Sequence, residues 1–178
     1  MNKAAIKAFA TGARKTLMIS VAQKVVELTA QKDNKCPKLS EDIEEKGINS
    51  VVEEVSYTWF KRIVGVRYME VNGFLPNGIR VLSSKIQGKT VPDILDKIPV
   101  DEHTDKLYTE LFIDCCSSLE KILPDYFGSS LTYLKPLLKL SYKDEKGVAR
   151  SIVDRIPEED FKDGVEIVGW LYQYYNDA

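Results

Sequence analysis

Apolar residues recur at Ile6, Phe9, Ala13, Leu17, Val21, Val25 and Leu28, at intervals of three and four, with no proline among the first 30 positions. That spacing predicts one long amphipathic helix. A stripe of this length cannot be buried by a helix alone, so the rest of the chain must supply elements that pack along it. The same period returns twice more below, and the chain reads as all-α, a bundle-like helical domain over residues 1–178 with at most a short extended segment near 79–82. With 44% hydrophobic residues among 178, there is enough apolar surface for one sizeable core.

The opposite face of the first helix is basic. Lys3, Lys7, Arg14, Lys15 and Lys24 all precede the first acidic residue, Glu27. Over the whole chain, 25 basic residues face 27 acidic ones, a net charge of −2. No global field therefore draws the protein to nucleic acid or to a membrane, and any such contact must be local. Two readings of the basic face stay open: a solvated surface, or contact with phosphate or an acidic partner, for which Lys3, Lys7, Arg14 and Lys15 are the candidates.

Cys36, Cys115 and Cys116 form neither a disulfide framework nor a zinc-type pair. Reduced thiols, no signal-peptide pattern and no apolar run long enough to span a bilayer lead to the expectation of a cytoplasmic protein without membrane contact.

Residues 31–39 read as a loop, and Ser40–Lys46 as a short acidic helix with a solvated face, stopped by Gly47. Ser50 and Glu53 have capping-box spacing, so a second long helix is expected to open there and run to about Asn72, with Gly73 as its left-handed cap. On a helical wheel Glu54, Thr58, Lys61, Arg62 and Gly65 share a polar sector, which makes Lys61 and Arg62 further candidates for DNA or partner contact. Arg67 and Glu70 fall in the apolar sector instead, three residues apart. A charge there must be paired or hydrogen-bonded, so the two are expected to form a buried ion pair, the alternative being a functional contact.

Between Gly73 and Pro99 the pattern weakens to a turn at 76–78, the extended piece at 79–82, and one or two helical turns at 91–98. His103, the only histidine, lies among acidic residues without the spacing of a metal site. The helical period resumes at Leu107, Leu111, Cys115, Leu119 and Ile122 and ends before Pro124, and Cys115 and Cys116 read as small core residues. An irregular apolar segment, SSLTYLKPLLKL, is broken by Pro136. A last helix starts at Pro157-Glu158-Glu159-Asp160 and carries Phe161, Val165, Val168, Tyr172 and Tyr175 on one stripe. With Trp170 and Tyr174 its aromatic residues surround it, so Phe161, Trp170, Tyr172, Tyr174 and Tyr175 are the candidates for an interface left uncovered by this chain.

No dinucleotide or phosphate-binding glycine motif, zinc-protease motif or nucleophile elbow occurs. Three segments nevertheless resemble a known family: NKAAIKAFATGARKTL, VVEEVSYTWFKRIVGVRYMEVNGFLPNGIRVLS and EIVGWLYQYYN are similar to the N-terminal region of the PglX-type adenine-specific DNA methyltransferases of BREX phage-defence systems. The resemblance implies a helical domain preceding a catalytic one that binds S-adenosylmethionine and holds a flipped adenine with an Asn-Pro-Pro-Tyr motif. Neither that motif nor a glycine-rich cofactor loop lies in these residues, so no catalytic or cofactor-binding residue carries over, and no cofactor is expected in this chain. The partners implied are the downstream methyltransferase domain, duplex DNA and other BREX proteins. The alternative is a free-standing helical protein–protein interaction module that does not bind DNA.

Overall fold

The computed structural model describes residues 1–33, 35–162 and 164–178. Eight α-helices are found among them, in the order α1 (Lys3–Thr29), α2 (Pro37–Lys46), α3 (Ile48–Val71), α4 (Thr104–Ile122), α5 (Pro124–Phe127), α6 (Val148–Arg155), α7 (Glu158–Lys162) and α8 (Glu166–Asn176). Short 3-10 turns lie at Asp93–Leu95 and Lys135–Leu137. The described residues contain no β-strand: 79–82 is irregular, because the Val81 and Leu82 amides are taken by a side chain from α3 and are not free for a ladder.

The two long helices form the centre. α1 is capped by Asn2, whose side-chain oxygen accepts from the Ala5 amide at 3.1 Å, and it buries Ile6, Phe9, Ala10, Ala13, Leu17, Val21 and Val25 against α3, α6 and α8. α3 is buried nearly all round. Phe60, on α3, stacks on Phe9 of α1 (6.2 Å between ring centroids) and on Tyr175 of α8 (4.2 Å), while Trp59 meets Phe112 of α4 at 6.3 Å. Adjacent positions on α3 thus hold different neighbours, which explains why its apolar sector is so wide.

Several local expectations are corrected. α3 opens at Ile48, ahead of the Ser50–Glu53 capping box: Gly47, at φ +85°, turns the chain directly out of α2, and Glu53 instead pairs with Arg14 at 3.0 Å. The acidic face of α2 is not wholly solvated, because Asp42 is buried and accepts from the Tyr133 hydroxyl at 2.6 Å. On α4 the core stripe is Tyr108, Phe112, Cys116 and Leu119; Leu107, Leu111 and Cys115 are half-buried and Ile122 is exposed. The aromatic pair Tyr108 and Phe112 lies one residue on from the leucine series, and the larger rings take the deeper places. α6 has no counterpart in the sequence expectations. The last helix is two helices, separated at Gly164, whose φ of +140° is not helical.

The irregular segment after α5 lies against the core, so its main-chain groups need partners. Side chains of the helices supply them: Trp59 donates its indole N–H to the Leu134 carbonyl at 3.2 Å, and the Thr109 hydroxyl bonds both the Leu140 amide (3.0 Å) and the Leu140 carbonyl (3.2 Å). Leu134, Leu138 and Leu140 are buried there outside regular structure, and Leu137 is buried at the end of the 3-10 turn.

Candidate functional site

Arg67 and Glu70 are 1% and 3% exposed, and the Arg67 guanidinium donates to the Glu70 carboxylate at 2.9 Å. The other contacts explain how two charges are tolerated inside. Glu70 also accepts from the Ser83 hydroxyl (2.9 Å) and from the amides of Val81 (2.8 Å) and Leu82 (2.9 Å). Arg67 donates to Ser83 at 2.8 Å, and its other terminal nitrogen is 3.6 Å from Glu158, which is also hydrogen-bonded by Arg80. The Arg80 hydrogen bond holds the Glu158 carboxyl below the usual carboxylate range. The Tyr108 hydroxyl adds a bond to the Val81 carbonyl at 2.9 Å. The cluster therefore fastens the loop after α3 to α3, α4 and α7, which is structural work.

The six cations proposed from sequence do not form one surface. Arg62 is buried, donates to the Phe127 carbonyl and lies over the Trp59 ring, so it is not available to DNA or a partner. The wheel placed it with polar residues, but α5 packs on that side of α3. Arg14 is engaged by Glu53 and by the Tyr175 ring, Lys3 lies 3.9 Å over the Trp170 ring, and Lys61 lies 4.7 Å over the Tyr126 ring. Lys7 and Lys15 are exposed. His103 is exposed at the start of α4, and no metal-binding cluster is found among the described residues.

The five candidate interface aromatics also divide. Phe161 and Tyr175 are fully buried inside the chain and are withdrawn as interface residues. Trp170, Tyr172 and Tyr174 are half-buried, with Trp170 stacked on Tyr174 at 5.7 Å.

An open surface does exist on α8, displaced toward its start. A groove of about 490 Å³ runs between α3, α5 and α8, lined almost wholly by apolar atoms. Its α3 wall is Gly65, Tyr68 and Met69; its second wall is Tyr126 and Phe127 of α5 with Leu123 just before it; its third is Val168, Gly169 and Tyr172 of α8 with Val165 just before it. Phe74, Leu123 and Val165 at its edges are 58%, 44% and 66% exposed, which is unusual for large apolar side chains standing together.

Local sequence explains each wall. After α3 the Phe74 amide bonds the Met69 carbonyl (2.8 Å) and the Gly73 amide the Glu70 carbonyl (3.3 Å), a Schellman cap made possible by Gly73 at φ +71°. The cap places Phe74 beside Tyr68, 6.2 Å between ring centroids. Pro124 ends α4 and starts α5, leaving Leu123 at the corner. Tyr126 packs directly on Gly65, where a Cβ would collide with its ring, and donates its hydroxyl to the Lys61 carbonyl at 2.9 Å. Phe74 and Leu123 were not singled out from sequence, and Val165, read there as part of the last helix's stripe, is instead exposed at that helix's start. Each lies in a turn or at a helix end, where periodicity carries no information.

No protein-family model matches the chain. Two curated relatives are similar to it. The adenine-specific methyltransferase PglX of Lacticaseibacillus casei (strain Zhang) is 35% identical over 240 residues, covering 99% of this chain and 20% of that protein. The adenine-specific methyltransferase BrxX of Escherichia coli O9:H4 (strain HS) is 33% identical over 150 residues, covering 74% of this chain and 12% of that protein. Nearly all of the chain is thus matched, while it spans only a small part of each relative.

Proposed function

The chain is a relative of one stretch of the PglX-type adenine-specific methyltransferases, and from that premise we propose that it is their non-catalytic helical module, with the groove between α3, α5 and α8 as the surface on which the remainder of the enzyme rests. The observation that carries this reading is the exposed apolar rim of Phe74, Leu123 and Val165 around a groove that the chain's own helices leave uncovered. An isolated globular surface gains nothing from such a groove; a module inside a larger protein does.

The reaction served is methyl transfer from S-adenosylmethionine to the exocyclic amine of an adenine flipped from duplex DNA, in a phage-defence setting, carried out by residues outside this stretch. Duplex DNA is contacted, if by this module, through Lys7 and Lys15, the two candidate cations that are exposed and make neither an ion pair nor an aromatic contact among those found. The test uses the L. casei PglX in two forms, one with the matched stretch deleted and one with it replaced by this chain. The deletion is expected to abolish soluble, active adenine methyltransferase and the replacement to restore it. Full methylation by the deleted form would overturn the reading.

A further inference from the structure

Three observations say what kind of segment the groove receives. First, Gly169 sits inside α8, where glycine costs about 1 kcal/mol relative to alanine. A Cβ built there meets nothing within 4 Å. The contrast is Gly65 on the facing wall, which has a reason within the chain, since Tyr126 fills the space a side chain would need. Gly169 has none, yet it lines the groove. Gly12 on α1 is equally open, but it borders a groove with Lys146 and Arg155 and lacks the apolar surroundings.

Second, the long walls are α3 and α8, whose main-chain groups, apart from the first-turn amides of α8, are bonded within their own helices. They offer no free row of N–H and C=O groups on which an extended segment could form a ladder. A segment entering a nearly apolar groove must satisfy its own main chain, because each unpaired buried group carries a desolvation cost. An α-helix does so.

Third, the groove's volume of about 490 Å³ accommodates several side chains of one face, and the missing side chain at Gly169 lets a helix axis come close to α8.

We infer that the groove is the seat of an apolar-faced α-helix from the part of the methyltransferase outside this stretch, crossing α8 at Gly169. This rests on the module reading above. The occupant is placed in the same polypeptide because the matched stretch is 20% and 12% of the two relatives, so most of each relative lies outside it and is held near this module by the chain itself.

The experiment uses the chimera of L. casei PglX carrying this chain, with a photo-crosslinking benzoylphenylalanine in place of Val165, which is exposed at the groove's edge. Crosslinks are expected on residues of the remainder spaced by three and four, the period of a helix face. In the same chimera Gly169→Leu is expected to cut crosslink yield at least tenfold, while leaving the thermal midpoint of the isolated 178-residue chain unchanged or higher, because the position is open there. Crosslinks spaced by two, crosslinks to a second copy of this stretch, or yields unaffected by Gly169→Leu overturn the helix inference and leave the module reading intact. No crosslink to the remainder at all, together with an active deleted form, overturns both.

Discussion

Arg67 and Glu70 stand three residues apart on α3 and meet at 2.9 Å with 1% and 3% of their surfaces exposed, and the Glu70 carboxylate accepts four hydrogen bonds. A pair so enclosed is costly to break from one side. Glu70→Gln and Arg67→Met are each expected to lower stability by about 3–5 kcal/mol, since each strands a buried partner. The double variant Arg67→Met/Glu70→Gln is expected to lose less than the two single losses combined, because no unpaired charge is then left at the site and the Gln oxygen can still accept from the Val81 and Leu82 amides. Urea unfolding of the four proteins measures this; unchanged midpoints in both single variants would contradict it.

The two groove glycines are expected to respond in opposite directions. Gly65→Ala forces a methyl group into the Tyr126 ring and should cost about 1–3 kcal/mol. Gly169→Ala fills open space in a helix interior and should stabilise the isolated chain by about 0.5–1 kcal/mol. Thermal midpoints of the two variants check the pair, and the same sign for both would show that the walls are packed differently.

Acid should loosen the protein through its depressed carboxylates, Asp42 and Glu158 among them. The Tyr133 hydroxyl holds Asp42 below its ordinary range, and the Arg80 hydrogen bond does so for Glu158. Because each folded-state pKa lies below the unfolded one, the stabilisation is complete above the ordinary carboxylate range of about 4 and is lost as pH falls through the lower folded values. Urea midpoints at about pH 7 and about pH 3 should differ less in Asp42→Asn/Glu158→Gln than in the wild type. An equal acid sensitivity in both proteins would remove these two groups from the account.

Any duplex binding by the isolated chain should depend on Lys7 and Lys15. Reversing both to Glu is expected to flatten the slope of log affinity against log salt by about 2–4, as each lost phosphate contact removes roughly one unit and each added acid opposes the rest. Arg62→Gln should not change that slope, because Arg62 is spent on the Phe127 carbonyl. Fluorescence anisotropy over a salt series distinguishes the two, and a slope that moves with Arg62→Gln would contradict the placement.

The fold was legible where periodicity was long and unambiguous. The stripe from Ile6 to Val25 is the buried face of α1, and the charges of Arg67 and Glu70 in an apolar sector announced a position that packing had to explain. Legibility failed where a residue's surroundings depend on elements remote in sequence. Arg62 reads as polar surface until α5, more than sixty positions on, covers it. Leu107 and Leu111 make as good a stripe as Tyr108 and Phe112, and only three-dimensional packing chooses between registers one residue apart. The groove is the clearest case. It joins a Schellman cap at Phe74, a helix corner at Leu123 and a helix start at Val165, and no linear pattern connects them. The aromatic residues read onto the last helix pointed to an uncovered flank in part: Tyr172 lines the groove, whereas Phe161, on α7, and Tyr175 face inward.

Hydroxyl-radical footprinting tests the central claim most directly, comparing the isolated chain with the L. casei PglX chimera that carries it. In the isolated chain Phe74 and Leu123, at 58% and 44% exposure, should be labelled readily, and Phe127, at 1%, should not. In the chimera the account predicts that Phe74 and Leu123 become protected while Val26, 60% exposed on α1 and not among the groove's lining residues, keeps its labelling. Phe74 and Leu123 labelled equally in both proteins would contradict it, since the groove would then stay open when the rest of the enzyme is present.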